Sequence, residues 1–334
     1  MPTVFEICAG AGGQAIGLEA AGFDCVAAVE LDRHACETLR LNRPEWNVIE
    51  DDVRKVDGTP YLDQVDLLAG GVPCPPFSIA GKQLGSDDER DLFPEALRLA
   101  AEIKPRAIML ENVPGFASEK FREYRRGLFA RLKRLGYVAD FRILNASSFG
   151  VPQLRPRCVV VALKPADFDF FRWPDANGFT PGTVGQLLAD LIASDGWPGA
   201  AKWVKRASGI APTVVGGSKK HGGPDLGPTR ARQQWAQLGV NGLGISDAPP
   251  PIDFPADQMP KLTVRMVARI QGFPDSWQFA GRKTAAYRQV GNAFPPPVAE
   301  AVATAIRRAL GRVYEVPLGR EQMRIFDREQ AASS

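Results

Sequence analysis

Cys74 stands between prolines in Gly70-Gly71-Val72-Pro73-Cys74-Pro75-Pro76-Phe77-Ser78, directly after the apolar run Val65-Asp66-Leu67-Leu68-Ala69. Proline lacks a backbone donor and fixes φ, so a stretch this rich in Pro and Gly leaves a strand as a shaped loop. The thiol is expected at the carboxyl end of a strand, where open α/β sheets bind their ligands, and Cys74 is a candidate nucleophile. The competing reading of a free cysteine is a small buried hydrophobe. Glu111 follows the apolar run Ala107 to Leu110 and falls on the same expected sheet edge. A carboxylate there is costly to ionise unless paired, and a raised pKa suits a proton donor at neutral pH; a structural cap is the alternative. In Gln153-Leu154-Arg155-Pro156-Arg157, alternation sends Arg155 and Arg157 to one face, where guanidiniums can hold a carbonyl oxygen or a phosphate.

A second group of residues suggests a nucleotide-like ligand. Cys8-Ala9-Gly10-Ala11-Gly12-Gly13-Gln14 follows the first strand candidate and opens a helix, so its glycines would let backbone approach a ligand. The next strand candidate ends in Glu30-Leu31-Asp32, where an acid commonly accepts from ribose hydroxyls, and Asp51-Asp52-Val53 follows a third, where an acid can face an adenine amino group. Each acid has the alternative of a helix cap or an exposed loop charge. The full GxGxxG pattern is absent, which disfavours a nicotinamide dehydrogenase and leaves an adenosine-bearing cofactor without the second nucleotide.

Composition narrows the chemistry further. The chain has 334 residues, 45% hydrophobic and 24% charged, which is ordinary for a globular protein with a sizeable core. Five cysteines without a CxxC pair suggest neither a disulfide framework nor a structural zinc site, and point to a reducing compartment. With only His34 and His221, histidine triads and metal sites have almost no material. Apolar runs such as Cys158 to Leu163 are too short to span a bilayer, and a cytoplasmic protein is expected. The net charge of +3 is unevenly placed: Lys202 to Arg232 holds seven basic residues against Asp225 alone. That excess fits a polyanion or, alternatively, a solvated loop.

The elements that must position these residues alternate along the first half. Thr3 to Cys8, Phe23 to Val29, Val65 to Ala69, Ala107 to Leu110 and Cys158 to Leu163 read as buried parallel strands. Helical patterns lie between them at Gln14 to Ala21, His34 to Leu41, Phe93 to Glu102 and Phe121 to Leu135. From about Pro165 to Gly281 the texture turns rich in Gly, Pro and Trp with little periodicity, and a helical pattern resumes at Pro297 to Leu310. A doubly wound α/β domain, a loop-rich domain and a terminal helix packing back on the first domain are expected.

In order, these motifs, together with Arg269-Ile270-Gln271-Gly272-Phe273-Pro274 and Gln289-Val290-Gly291-Asn292-Ala293, resemble the bacterial DNA (cytosine-5)-methyltransferases over nearly the whole chain. The resemblance implies a Rossmann-like S-adenosylmethionine-dependent methyltransferase sheet in residues 1–168, a small irregular target-recognition domain in 169–284, and a returning C-terminal helix in 285–334. It implies that Cys74 adds to carbon 6 of a flipped cytosine, Glu111 serves N3, Arg157 holds O2 and Arg155 supports the site. By position it assigns the cofactor to Cys8, Gly10, Gly12, Gly13, Glu30, Leu31, Asp52, Val53, Leu92 and Asn292. Double-stranded DNA is the implied substrate, with no metal and a monomer beside a separate cognate restriction endonuclease; the basic excess between Lys202 and Arg232 offers Lys219, Lys220, Arg230 and Arg232 as its DNA ligands. An RNA cytosine-5 methyltransferase and a catalytically idle DNA-binding relative are the alternatives. The chain departs from the family where Cys8 replaces the usual phenylalanine and where Pro73-Cys74-Pro75 replaces Pro-Cys-Gln.

Overall fold

The computed structural model describes residues 1–73, 91–176, 180–216 and 225–312; Cys74, Lys219 and Lys220 lie outside the described residues. Seven strands form one sheet: β1 (Thr3–Ile7), β2 (Asp24–Glu30), β3 (Val48–Glu50), β4 (Leu67–Gly70), β5 (Ala107–Asn112), β6 (Val138–Asn145) and β7 (Pro156–Leu163). Their spatial order is β3-β2-β1-β4-β5-β7-β6. Strands β1 to β5 are parallel, and the order reverses between β1 and β4, the position at which open α/β sheets hold ligands.

The run Cys158 to Leu163, expected to be a parallel strand, is antiparallel to both β5 and β6. An all-apolar run records that both faces are covered and says nothing of direction. The reversal has a functional consequence. A parallel β7 would begin at the amino edge of the sheet, whereas the antiparallel strand begins at the carboxyl edge, beside the end of β5. Strand β6 escaped the sequence reading because it is an edge strand whose polar residues Asp140 and Arg142 interrupt its apolar pattern.

The helices are α1 (Gly13–Ala20), α2 (Arg33–Asn42), α3 (Phe93–Ile103), α4 (Arg122–Arg134), α5 (Pro165–Phe168), α6 (Val184–Ala193), α7 (Ala200–Arg206), α8 (Thr229–Gln237), α9 (Val264–Ile270), α10 (Lys283–Asn292) and α11 (Pro296–Leu310). On one face of the sheet, Phe93, Leu97 and Leu99 of α3 and Leu128 and Leu132 of α4 cover Phe5, Leu68 and Ile108. On the other, α11 opens with proline at its first turn and buries Val298, Val302, Ala305, Ile306 and Ala309 at helical spacing. It crosses α1 so closely that a Cβ on Gly17 would lie 2.5 Å from the Pro296 carbonyl oxygen. The stretch from Pro165 to Gly281, expected to be loop-rich, contains α6 to α9 around Trp203, Trp235, Leu188 and Met266. Those helices have seven to ten residues each and are separated by Gly and Pro turns, so no helical period is sustained for long in the sequence.

Candidate active site

Four chain segments meet at the carboxyl edge of the sheet. Register pairs Ile7 with Gly70 and Val29, and Gly70 with Leu110, so Cys8, Glu30, Gly71 and Glu111 emerge side by side. Because β7 runs backwards, its start adds Arg157 to this row, and Arg157 Nε lies 2.8 Å from Glu111 Oε1. Burial pushes the Glu111 carboxyl up, while Arg157 and then Arg155 pull it down; burial wins. The result is a carboxyl that holds its proton at higher pH than an exposed glutamate, beside a guanidinium that can steady an anionic oxygen.

Arg155 is placed differently from Arg157. It is 1% exposed, and its guanidinium donates to the carbonyls of Val214 (2.5 Å), Gly291 (3.0 Å) and Ala293 (2.8 Å). It ties the start of β7 to the segment before residue 217 and to the end of α10. Gln153 continues this buried network, accepting from Val214 N and donating to Gln271, which in turn donates to the Ala293 carbonyl.

A cavity of about 270 Å³ opens beside this row, lined by Cys8, Gly10, Gly13, Gln14, Glu30, Gly71, Glu111, Arg288, Gln289 and Asn292. A second, of about 210 Å³, shares Cys8 and Glu30 and adds Leu31, Asp52, Val53 and Leu92. Nine of the ten residues expected at a cofactor therefore line one of these two adjoining cavities; Gly12 does not. Glu30 is oriented by backbone amides, accepting from Gly10 (2.8 Å), Leu31 (2.9 Å) and Asp32 (2.7 Å). Leu31 is 68% exposed over the second cavity. Asp52 caps the turn Val53–Lys55 and is held down at about 2 by the Arg54 guanidinium. Cys8 adopts φ +51, and burial followed by the Glu30 charge pushes its thiol well up, so at this site it is a neutral lining group. Asp32 caps α2 through His34 N and Ala35 N.

Residues that sequence reasoning did not single out complete the site. At Gly12 (φ +86) a Cβ would lie 2.7 Å from Trp277, whose Nε1 donates to the Ala11 carbonyl at 3.0 Å. Tyr287 Oη donates to the Val215 and Asp225 carbonyls, which flank residues 216–224. The same helix, α10, carries Arg288, Gln289 and Asn292 into the first cavity. The motif Gln289-Val290-Gly291-Asn292-Ala293 signalled this helix in the sequence, but nothing there singled out Tyr287 or Arg288. Of the candidate DNA ligands, Arg230 is exposed on α8 and Arg232 is half-buried, donating to Thr229 Oγ1.

Comparisons with known proteins agree on what this geometry belongs to. The family described as C-5 cytosine-specific DNA methylase matches residues 2–308. The chain is 58% identical to the Type II methyltransferase M.NaeI of Lentzea aerocolonigenes, over 92% of this chain and 75% of that one. It is 55% identical to the Type II methyltransferase M.NgoMIV of Neisseria gonorrhoeae, over 92% of this chain and 98% of that one. Among solved structures, the S. pombe Dnmt2 methyltransferase is alike in fold at 20% identity, with a TM-score of 0.63 over 93% of this chain and 99% of that one. A sheet with a glycine loop at its switch point and a Glu111–Arg157 pair at the same edge thus belongs to a member of the C-5 cytosine-specific DNA methylase family, an S-adenosylmethionine-dependent DNA cytosine methyltransferase.

Proposed function

We propose that this DNA cytosine-5 methyltransferase works through Cys74, Glu111 and Arg157, with Arg155 as support. The observation that carries the proposal is the 2.8 Å contact of Arg157 with Glu111, which lines the same cavity as the glycine loop. The Cys74 thiolate forms a bond to carbon 6 of a flipped cytosine while Glu111 passes its proton to N3 and Arg157 holds O2. Carbon 5 then has the electron density to take a methyl group, which S-adenosylmethionine supplies. Water takes the carbon 5 proton, the electron pair it leaves forms the C5–C6 double bond and expels the Cys74 thiolate, and N3 returns its proton to Glu111. The base reaches these groups only outside the duplex stack.

The cavities suit an adenosyl group bearing an amino-acid tail. Exposed Leu31, with Val53 and Leu92, offers apolar surface beside the acids Glu30 and Asp52, and the glycine loop gives backbone access at the start of α1. Residues 1–168, 169–284 and 285–334 are proposed as the catalytic domain, the target-recognition domain and the returning helix. Lys219, Lys220, Arg230 and Arg232 are proposed to contact DNA. The Type II names of the relatives support a separate restriction endonuclease beside the chain, and the chain is further proposed to act as a monomer in the cytoplasm, at the nucleoid. No helix of the described residues is long and apolar enough to cross a membrane.

Duplexes carrying 5-fluorocytosine test the assignment, because fluorine at carbon 5 cannot leave as a proton. Wild type is expected to form a covalent adduct that survives denaturation, and Cys74→Ser to form none. An adduct on Cys74→Ser sinks the nucleophile. Bisulfite sequencing of DNA from an expressing host would report the target sequence.

A further inference from the structure

Helix α8 has two unlike faces. Trp235 is fully buried, and Leu238 is buried in the same cluster. At about 100° per residue, Arg230, Gln233 and Gln237 fall on the side opposite Trp235. All three are exposed, and none has a side-chain hydrogen bond or ion pair among the described residues. The helix, Thr-Arg-Ala-Arg-Gln-Gln-Trp-Ala-Gln, contains no acid. The solvent faces of α2, α3 and α4 differ, for they carry the pairs Arg33–Glu37, Arg98–Glu102 and Arg126–Glu123.

The start of α8 lies beside the catalytic edge. Arg155 donates to the Val214 carbonyl at 2.5 Å, and a Cβ on Gly216 would lie 2.7 Å from Oδ1 of Asn292, which lines the first cavity. Between them, Val215 comes within 2.9 Å of the point where Gly227 would carry a Cβ, and that point is 3.3 Å from Ala231 in the first turn of α8. Tyr287 Oη fixes the arrangement by donating to the Val215 and Asp225 carbonyls. A cytosine turned out into the site stays joined to its flanking nucleotides, so the duplex lies across this edge.

The chemistry of the stripe suits bases better than phosphates. An Arg guanidinium matches guanine O6 and N7, and a Gln amide, with one donor and one acceptor group, matches a base edge; being neutral, it adds little to the attraction for phosphate. We propose that α8 lies in the major groove next to the target cytosine and reads base edges with Arg230, Gln233 and Gln237, which makes these three residues specificity determinants of the methylation. This rests on the reading of the cavity as the seat of a flipped cytosine. From Arg230 to Gln237 the helix rises by about 10 Å, the length of about three base-pair steps.

Bisulfite sequencing tests the proposal, with the full chain and its Arg230→Ala, Gln233→Ala and Gln237→Ala variants expressed in a host that has no cytosine methylation of its own. Wild type defines the target. Each variant is expected to methylate sites that differ from the target at one position, with the preference for the original base there cut by about tenfold or more. The affected positions should fall within about four adjacent base pairs. Purified Gln233→Ala and Gln237→Ala should keep the wild-type salt dependence of duplex binding, whereas loss of a phosphate contact lowers the slope by about 1. All three variants should melt no lower than wild type, because alanine is the best helix former and the replaced side chains touch nothing buried. Unchanged preference at every position, whether methylation is retained or falls at all sites alike, would overturn the assignment to base edges. Wild type that methylates no site would instead overturn the reading of the cavity.

Discussion

Arg157 and Glu111 are joined at 2.8 Å with both side chains nearly out of solvent, and the contact exists because β7 runs against β5. The pair sets the protonation of the site, since Arg157 is the largest influence lowering the Glu111 pKa against burial. Glu111→Gln keeps the shape and loses the transferable proton, so turnover should fall by about 10²- to 10⁴-fold. Cofactor affinity by calorimetry should hardly change. In Arg157→Ala the alkaline limb of the kcat/KM profile should move to higher pH, because Glu111 then holds its proton more tightly. An unmoved limb would mean that another group supplies the proton.

Glu6 gives the fold a pH signature of its own. Burial, with a smaller contribution from the Glu30 charge, raises its carboxyl from 4.5 to about 8. The native state therefore binds this proton more tightly than the unfolded chain does, and stability falls as pH rises from about 4.5 toward 8. Glu6→Gln removes the titration. Its stability gain over wild type, measured by urea unfolding without cofactor, should grow from near zero at pH 5 to a few kcal/mol, on the order of 3, at pH 8. A gain independent of pH would show that Glu6 is not the group responsible.

Arg155 should behave as a structural tie. Arg155→Met leaves the Val214, Gly291 and Ala293 carbonyls without their donor in a dry interior, a loss of about 3–5 kcal/mol. Thermal unfolding should register the loss, and cofactor and DNA binding should weaken together. A normal melting temperature with lost turnover would instead make Arg155 a group that touches the base.

Gly291 lies within α10, where helix propensity alone predicts that alanine stabilises by about 1 kcal/mol. Its Cβ would lie 2.4 Å from both the Cα and the N of Gly216, and backbone cannot yield as a side chain can. The clash should dominate, so Gly291→Ala should destabilise by about 2 kcal/mol. It should also lower DNA affinity, because Gly216 adjoins the basic segment. A stabilised variant would show that the two segments part freely.

Trp277 shields the glycine loop from the opposite side. Trp277→Leu removes the indole over Gly12 and the donor to the Ala11 carbonyl, and is expected to cost about 2–4 kcal/mol. S-adenosylhomocysteine affinity should fall with it. Unchanged affinity would mean that the loop keeps its shape without the cover.

The chain's own sequence determined the residue types and their order. Short motifs suffice for that, because a thiol between prolines, a glycine turn before a helix and a carboxylate after an apolar run are local patterns with local physical causes. They placed Glu30, Asp52 and Glu111 near one edge before any contact was known, since parallel strands deliver their ends to a common side, whereas Asn292, on α10, was implied only by the family resemblance. Tertiary structure decided what no local pattern carries. The direction of β7 is set by long-range pairing, and it alone brings Arg157 to Glu111. Trp277 reaches Ala11 across 266 residues, a separation at which hydrophobic periodicity holds no information. The short helices α6 to α9 are stabilised by burial of Trp203 and Trp235 against their neighbours and not by sustained amphipathic repeats, so they read as irregular until packed. Gln14 reads in the sequence as an ordinary first-turn residue, and only the folded chain shows that its buried amide has no hydrogen-bond partner among the described residues.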